Sequence, residues 1–443
     1  MSERKPMARL FVSAIRSGID EQFTIQLHTN QPLKKFRIEA TTEDDKRNMF
    51  RSSAAFYTNE HGIINLSKQA PIAGDYEGVD SMGLIWSMRS VEKREGRFVK
   101  HSSDPIKIRL HAYDNDQLVD SQSIIRTFYP VEEVVKESIA NESILGTTYS
   151  PKQPGKYPAV IVVGGSDGAV HEAAAAMLAA QGYVVLALAY FGREGLPKGI
   201  ENIPLEYVDH AFQYLESKTN VDHHNLGMIG FSRGAELTLL YALHYPKLKS
   251  VIAVAPSAVV FSGVVNFQPI DAPAWTFKGK PLKYFKAKRT LGDTATFFYH
   301  WIFRKPYSGL PSIHRNLQDT RQLEDNAIAV ENIHSPMMFL SGRDDHVQPA
   351  EFFTKRMEQR LSNHPFHELN EYIYYEDAGH FAAFPGSLPN LPQTVGDTNY
   401  NMTMIFGGTR RANAKAALES WEHTLKFLDK TLKGHKIVSH NSR

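Results

Sequence analysis

Nine residues, Leu226-Gly227-Met228-Ile229-Gly230-Phe231-Ser232-Arg233-Gly234, constrain the fold more than any other stretch of this chain. Met228 and Ile229 read as a buried strand, and residues 235–244 as a helix that Pro246 stops, so Ser232 stands at an abrupt strand-to-helix corner. Gly230 and Gly234, two positions to either side, suit such a corner because side chains there would strike the neighbouring strand and helix. G-x-S-x-G in this setting is the pattern of a nucleophile elbow, which lifts a serine hydroxyl clear of a sheet.

The elbow lies within an alternation of strands and helices. Residues 157–163 form a continuous apolar run that enters Gly164-Gly165-Ser166-Asp167-Gly168. A helix is predicted over 171–181, closed by Gly182, and a second apolar strand over 183–190. Strand, helix, strand in this order implies a parallel sheet. The rhythm continues with a helix near 205–217 and a strand over 251–255. Past residue 330 come a strand at 337–340, a helix at 351–361 and a strand at 371–375. A final helix is predicted over 411–432, where Leu418, Trp421, Leu425, Leu428 and Leu432 recur at spacings of three and four. Residues 260–330 break the pattern with an aromatic and basic insert, expected to be a lid over Ser232 or else a structural excursion with a solvated basic face.

The first 130 residues read differently. Ile106, Ile108 and Leu110 alternate with Lys107, Arg109 and His111, the period of a half-buried strand, and shorter runs recur at 24–28 and 36–40. Six or seven short strands separated by turns predict an immunoglobulin-like β-sandwich. Residues 71–88 are too glycine-rich for a plain strand and too apolar at their end for a solvated loop. They are expected to dock against the second domain, or to form a loop of the sandwich with Trp86 buried. Residues 131–157 read as a connection, with a short helix at 131–139 and punctuation at Ser150-Pro151-Lys152-Gln153-Pro154-Gly155. The expected division is a sandwich over 1–130, a linker over 131–157 and a catalytic domain over 158–435; 443 residues exceed what one ordinary core organises.

Composition excludes several functions. Lys plus Arg number 50 against 48 Asp plus Glu, and a net charge of +2 carries no signature of nucleic-acid binding. The chain has no cysteine, so a disulfide framework, a thiolate metal site and a cysteine nucleophile are all ruled out. The apolar stretch at 10–15 is too short for a signal segment, and no run approaches the roughly 18 apolar residues of a membrane span. The ending His-Asn-Ser-Arg is no organelle address, and a cytoplasmic location is expected. Histidines do not pair as in H-E-x-x-H, so no metal is expected, and the chemistry below needs no cofactor.

A serine hydroxyl needs an imidazole to take its proton, and the imidazole needs a carboxylate to fix its tautomer. Asp345 follows Ser232 by 113 residues and His380 follows Asp345 by 35, each just past a predicted strand. Nucleophile, acid, histidine in that order is the arrangement of the α/β-hydrolase fold, which is the expected fold of the second domain. Asp344 competes with Asp345 for the acid, but Asp345 stands three after Gly342 and four before Pro349, the spacing that suits a strand-end acid. His346 and His244 compete with His380 and are worse placed, one directly after the acid and one on the elbow helix. The oxyanion donors are expected to be the backbone N–H groups of Arg233 and Ser166, with Gly165 as the alternative to the latter. The glycine-rich loop could also be a phosphate cradle, although it lacks both G-x-G-x-x-G and a Gly-Lys-Ser/Thr ending.

These residues resemble the acyl-CoA thioesterase and bile acid-CoA:amino acid N-acyltransferase (BAAT) family. The similarity covers nearly the whole chain, through GDYEGVDSMGLIWSM in the first domain and GGSDG, LALAYFGREGLPK, IPLEYVDHAFQYL, GFSRGAEL and DAGH in the second. AWTFKGKPL and GGTRRANAKAALESW resemble bacterial members. The resemblance implies attack on an acyl-CoA thioester, an acyl-enzyme and release of CoA, with water as acceptor in thioesterases and an amino acid in the acyltransferases. Acyltransferase members carry cysteine at the nucleophile position, so serine here favours hydrolysis to a free fatty or other carboxylic acid. A carboxylesterase or an N-acyltransferase using the same triad, and a non-catalytic acyl-binding module, are the alternatives. With CoA as partner, Lys278, Lys280 and Lys283 of the insert are expected to attract its phosphates.

Overall fold

In the computed structural model, which describes residues 8–92, 96–141, 143–363, 367–385, 388–397 and 402–434, one eight-stranded sheet carries the elbow. The boundary expected at 435 and the terminal tetrapeptide lie outside the described residues. The strands are β1 (Val134–Ala140), β2 (Leu145–Pro151), β3 (Tyr157–Val163), β4 (Val184–Ala189), β5 (Val221–Phe231), β6 (Ser250–Val254), β7 (Met337–Gly342) and β8 (Glu371–Tyr375). They lie in the order β1-β2-β4-β3-β5-β6-β7-β8. β2 runs antiparallel to both its neighbours, and β4 through β8 are parallel.

The continuous apolar runs are explained by burial on both faces. Val160, Val162, Ile229, Ile252 and Met338 join one core, with helices Glu172–Ala180 and Arg410–Leu428. Their alternates Ile161, Val163, Met228, Val251 and Phe339 join a second core, with helices Leu205–Glu216, Arg233–His244 and Ala350–Leu361. The β3-to-β4 helix therefore covers one face and the β4-to-β5 helix the other. The strand order reverses at β3, and the crevice at the carboxyl ends of β3 and β5 is where such sheets place their sites. The glycine-rich loop follows β3, and the elbow follows β5.

Ahead of this sheet, strands Ala8–Val12, Ile25–Thr29 and Ile63–Asn65 form a three-stranded sheet. It shares a core with a seven-stranded sheet built on Lys35–Glu43, Met49–Tyr57, Ile106–Asp114 and Gln117–Thr127, which makes a β-sandwich. Ile106, Ile108 and Leu110 point into that core, and Lys107 and Arg109 are exposed, as the alternation predicts.

Residues 131–157 correct one expectation. They hold β1 and β2, an antiparallel pair on the edge of the large sheet, in place of a helix and a linker. On the edge strand only Val134 and Ile139 are buried, so it carries no period-2 signal. Residues 71–88 contribute the short helix Gly83–Trp86, with Leu84 and Ile85 buried and Trp86 Nε1 donating to Asp80 (3.0 Å). The preceding turn packs towards the second half of the chain, where Gly78 faces the Arg411 guanidinium. Among the described residues no helix is long and apolar enough to cross a membrane.

Candidate active site

Ser232 has φ +54° and ψ −114°, a left-handed conformation that costs a non-glycine residue energy and aims its side chain out of the sheet. Its N–H donates to Val254 O (2.8 Å), which fixes the corner against β6. A Cβ on Gly230 would run into Gly234 O, and one on Gly234 into Gly164 O, so both glycines are required by close backbone approach. Across the crevice, a Cβ on Gly165 would lie 3.1 Å from Ser232 Cβ. The glycine-rich loop therefore abuts the serine. Among the described residues, the backbone N–H groups of Arg233 and Ser166 donate to no protein acceptor.

Past β7 the two neighbouring acids divide. Asp345 is 4% exposed; its Oδ1 accepts from the N–H groups of Val347 (2.8 Å) and Gln348 (3.1 Å), and its Oδ2 pairs with His380 Nδ1 at 2.8 Å. Asp344 turns away, with Oδ1 near His346 Nε2 (3.0 Å) and Oδ2 accepting from Gly408 N (2.8 Å). Both expected rivals for the base are thus occupied elsewhere: His346 pairs with Asp344, and His244 stacks on Phe277 (ring centroids 4.1 Å). The loops bearing Ser232 and His380 meet where Phe231 packs on Phe384 (5.6 Å). Among the described residues no hydrogen bond joins Ser232 to His380, a looseness common before substrate binds.

A strap formed by residues 402–409 holds the acid and histidine loops together. Phe406 O accepts from His380 N (3.0 Å), and the buried Asn413 accepts from Gly379 N (2.8 Å) through Oδ1 and donates through Nδ2 to Leu391 O and Gly407 O. The insert is sewn to the same strap: Tyr307 N donates to Thr403 O and Ile405 N to Tyr307 O, both at 2.8 Å. Beyond that seam the insert carries helix Leu291–Ile302, which buries none of its residues and exposes Phe298, Trp301 and Ile302.

Beneath the elbow, the Arg233 side chain points into the protein. Its Nη1 meets Glu236 Oε2 (2.7 Å) and its Nη2 donates to Ser262 O (3.0 Å). Glu236, fully buried, also accepts from Trp275 Nε1 (2.6 Å) and Phe261 N (3.2 Å). Burial pushes its carboxyl pKa up, while Arg233 and these donors pull against the shift. The start of the insert is thereby anchored to the elbow helix.

On the other side of the crevice Arg97, from the first part of the chain, reaches Asp167 in the glycine-rich loop (2.6 Å). Burial would raise the Asp167 pKa, but Arg97, His171 and hydrogen bonds hold it below the usual carboxylate range. His171 stacks on Phe231 at 4.5 Å, and burial lowers its pKa against the pull of Asp167. Arg97, His171, Glu236 and Asn413 escaped the sequence reading. Only Glu236, an acid between apolar Ala235 and Leu237, and Asn413, just past Gly407-Gly408, left a visible signal.

Lys278, Lys280 and Lys283 are exposed. Lys278 N donates to Glu206, and its neighbour Phe277 stacks on His244, the last residue of a 12-residue helix that begins beside Ser232. Such a helix is about 18 Å long.

The strand order, the elbow and the buried acid–histidine pair put the second part of the chain in the α/β-hydrolase class. The family description "BAAT / Acyl-CoA thioester hydrolase C terminal" matches residues 203–434, and "Acyl-CoA thioester hydrolase/BAAT N-terminal region" matches residues 20–140. The chain belongs to this acyl-CoA thioester hydrolase/BAAT family. Acyl-coenzyme A thioesterase 1 of Rattus norvegicus is 26% identical over 427 residues, spanning 95% of each chain. Acyl-coenzyme A thioesterase 2, mitochondrial, of Homo sapiens is 27% identical over 425 residues, 94% of this chain and 83% of that protein. Among solved structures, the alpha/beta hydrolase GrgF from Penicillium sp. sh18 aligns with a TM-score of 0.39 at 13% identity, covering 68% of this chain and 99% of that one.

Proposed function

We propose that this chain hydrolyses acyl-CoA thioesters, with Ser232 as nucleophile, His380 as general base and acid, and Asp345 as the group that orients His380. The observation that carries the reading is the buried contact of Asp345 with His380 Nδ1, at the end of the sheet that bears the elbow. It fixes the tautomer in which Nε2 accepts a proton. The substrate class is inferred from the named relatives, which match almost end to end.

Ser232 Oγ attacks the thioester carbonyl carbon as His380 Nε2 takes its proton. The oxyanion is held by the N–H groups of Arg233 and Ser166. As the intermediate collapses, the C–S bond breaks and the CoA sulfur leaves with the proton from His380. Water, deprotonated by the same nitrogen, then attacks the acyl-serine ester; the acid departs and Ser232 recovers its proton. In this reading the hydrolase domain supplies the chemistry, and the first part of the chain reaches it through Arg97 on Asp167.

Thiol release from acyl-CoAs of graded chain length, beside simple esters, tests the proposal. Serine-dependent release that exceeds ester cleavage is expected, with Ser232→Ala lowering it by a factor on the order of 10⁴ or more. Undiminished release by a folded Ser232→Ala variant would overturn it.

A further inference from the structure

A cleft of about 1010 Å³ opens between the two halves of the chain, lined by none of the triad residues. One wall is the outer face of strand Ile106–Asp114, from which Lys107 and Arg109 project because their alternates fill the sandwich core. The opposite wall is the rim of the large sheet: Ser138 to Ala140 of β1, Leu145 to Thr147 of β2, and Ala189 of β4 with Arg193 just beyond.

The charges in this cleft are unevenly satisfied. Asp45 pairs with Lys100 (2.7 Å), Glu172 with Lys136 (2.8 Å) and Glu43 with Arg47 (3.3 Å). Asp44 is buried under backbone N–H groups and Asn48, and the exposed Asp104 also lines the cleft. Lys107, Arg109 and Arg193 have no acidic partner among the described residues, and all three are exposed to the cleft. Lys107 and Arg109 on one wall and Arg193 on the other leave three cations free to meet a polyphosphate from two sides.

Position points the same way. Ala189 pairs with Leu145, and Leu188 lies level with Val163, which lies level with Gly230, so the cleft opens at the end of the sheet that bears Ser232. At ~4.8 Å per strand, β4 is about 10 Å from the elbow strand and β1 about 19 Å. A pantetheine arm, comparable in length to four or five extended residues, spans roughly 15 Å.

We infer that this cleft binds the phosphate-bearing nucleotide end of CoA through Lys107, Arg109 and Arg193. The inference rests on the thioesterase reading for its ligand, and it moves the phosphate contacts from the lysines of the insert to the junction of the two halves. The first part of the chain then supplies substrate-binding residues, and the pantetheine arm runs from the cleft across β4 and β3 to the elbow.

The test compares wild type with a Lys107→Gln, Arg109→Gln, Arg193→Gln variant on an acyl-CoA and on the matching acyl-pantetheine, which has the same thioester and no phosphate. Binding of CoA itself is measured by calorimetry. The variant is expected to raise KM for the acyl-CoA at least tenfold with kcat nearly unchanged, to leave KM for acyl-pantetheine unaltered, and to weaken CoA binding by a similar factor. Wild-type affinity for CoA in the variant would overturn the inference. So would an equal rise in KM for both substrates, or a rise confined to a variant neutralised at Lys278, Lys280 and Lys283. CoA bound through these residues by a wild-type protein that releases no thiol from any thioester would sustain the cleft and overturn the catalytic reading instead.

Discussion

Arg97 Nη2 lies 2.6 Å from Asp167 Oδ2 and so ties the β-sandwich to the loop whose Gly165 abuts Ser232. Both side chains are largely shielded from solvent, and the ion pair sits one residue from the proposed oxyanion donor Ser166. A contact made by the first domain thereby bears on the geometry of chemistry performed by the second.

Arg97→Leu is expected to lower kcat about tenfold, because a small displacement of a positioning loop is amplified in rate. A pH series adds an independent reading. The Asp167 pKa is depressed in the folded state, so its stabilisation is fully present above the ordinary carboxylate range and is lost as pH falls through the folded value. Wild type should lose stability more steeply than Arg97→Leu below about pH 4; parallel acid limbs in denaturant titrations would contradict this.

Asp345→Asn should reduce kcat by about 10³ to 10⁴, since an amide can hold His380 in the wrong tautomer. Asp344→Asn keeps one acceptor oxygen and so can serve Gly408 N or a donating His346 but not both; it should stay within about tenfold of wild type, with a stability cost of about 1–2 kcal/mol. Steady-state kinetics on the two purified variants distinguish the neighbours; a reversal of their order would reassign the acid.

Gly165→Ala places a methyl group 3.1 Å from Ser232 Cβ and 3.2 Å from Phe231 O, so one of the two loops must give by a few tenths of an ångström. A loss of roughly ten- to a hundredfold in kcat is expected. Gly309→Ala, where φ is −79° and the added atom meets nothing within 4 Å, is the matched control, with activity and melting temperature close to wild type. Equal effects at both glycines would refute the steric account.

Glu236→Gln leaves the Arg233 guanidinium buried without its carboxylate, and the expected cost is about 3–5 kcal/mol. Thermal and denaturant unfolding should show it as a melting temperature lower by several degrees. A variant as stable as wild type would mean that Arg233 finds other acceptors.

Much of this architecture was legible in the sequence. β3, β4, β6 and β8 are short apolar runs bounded by glycine-rich or charged turns, and their limits agree with expectation within a residue. Ser232, Asp345 and His380 each follow a strand, which is what singles them out in the sequence, and the fold brings Asp345 against His380. β1 could not be placed, because an edge strand needs its partner to declare its face. Nor could the Arg97–Asp167 contact, whose members are 70 residues apart and individually ordinary.

The seam at Tyr307 has a consequence for how such a chain can diversify. The insert is held to the strap through amide groups that every residue possesses, at Tyr307 N, Thr403 O and Ile405 N. Side chains along helix Leu291–Ile302 are thereby released from the task of keeping Asp345 and His380 in place. Substitutions there can accumulate as heritable variation while the contact between Asp345 and His380 is inherited intact.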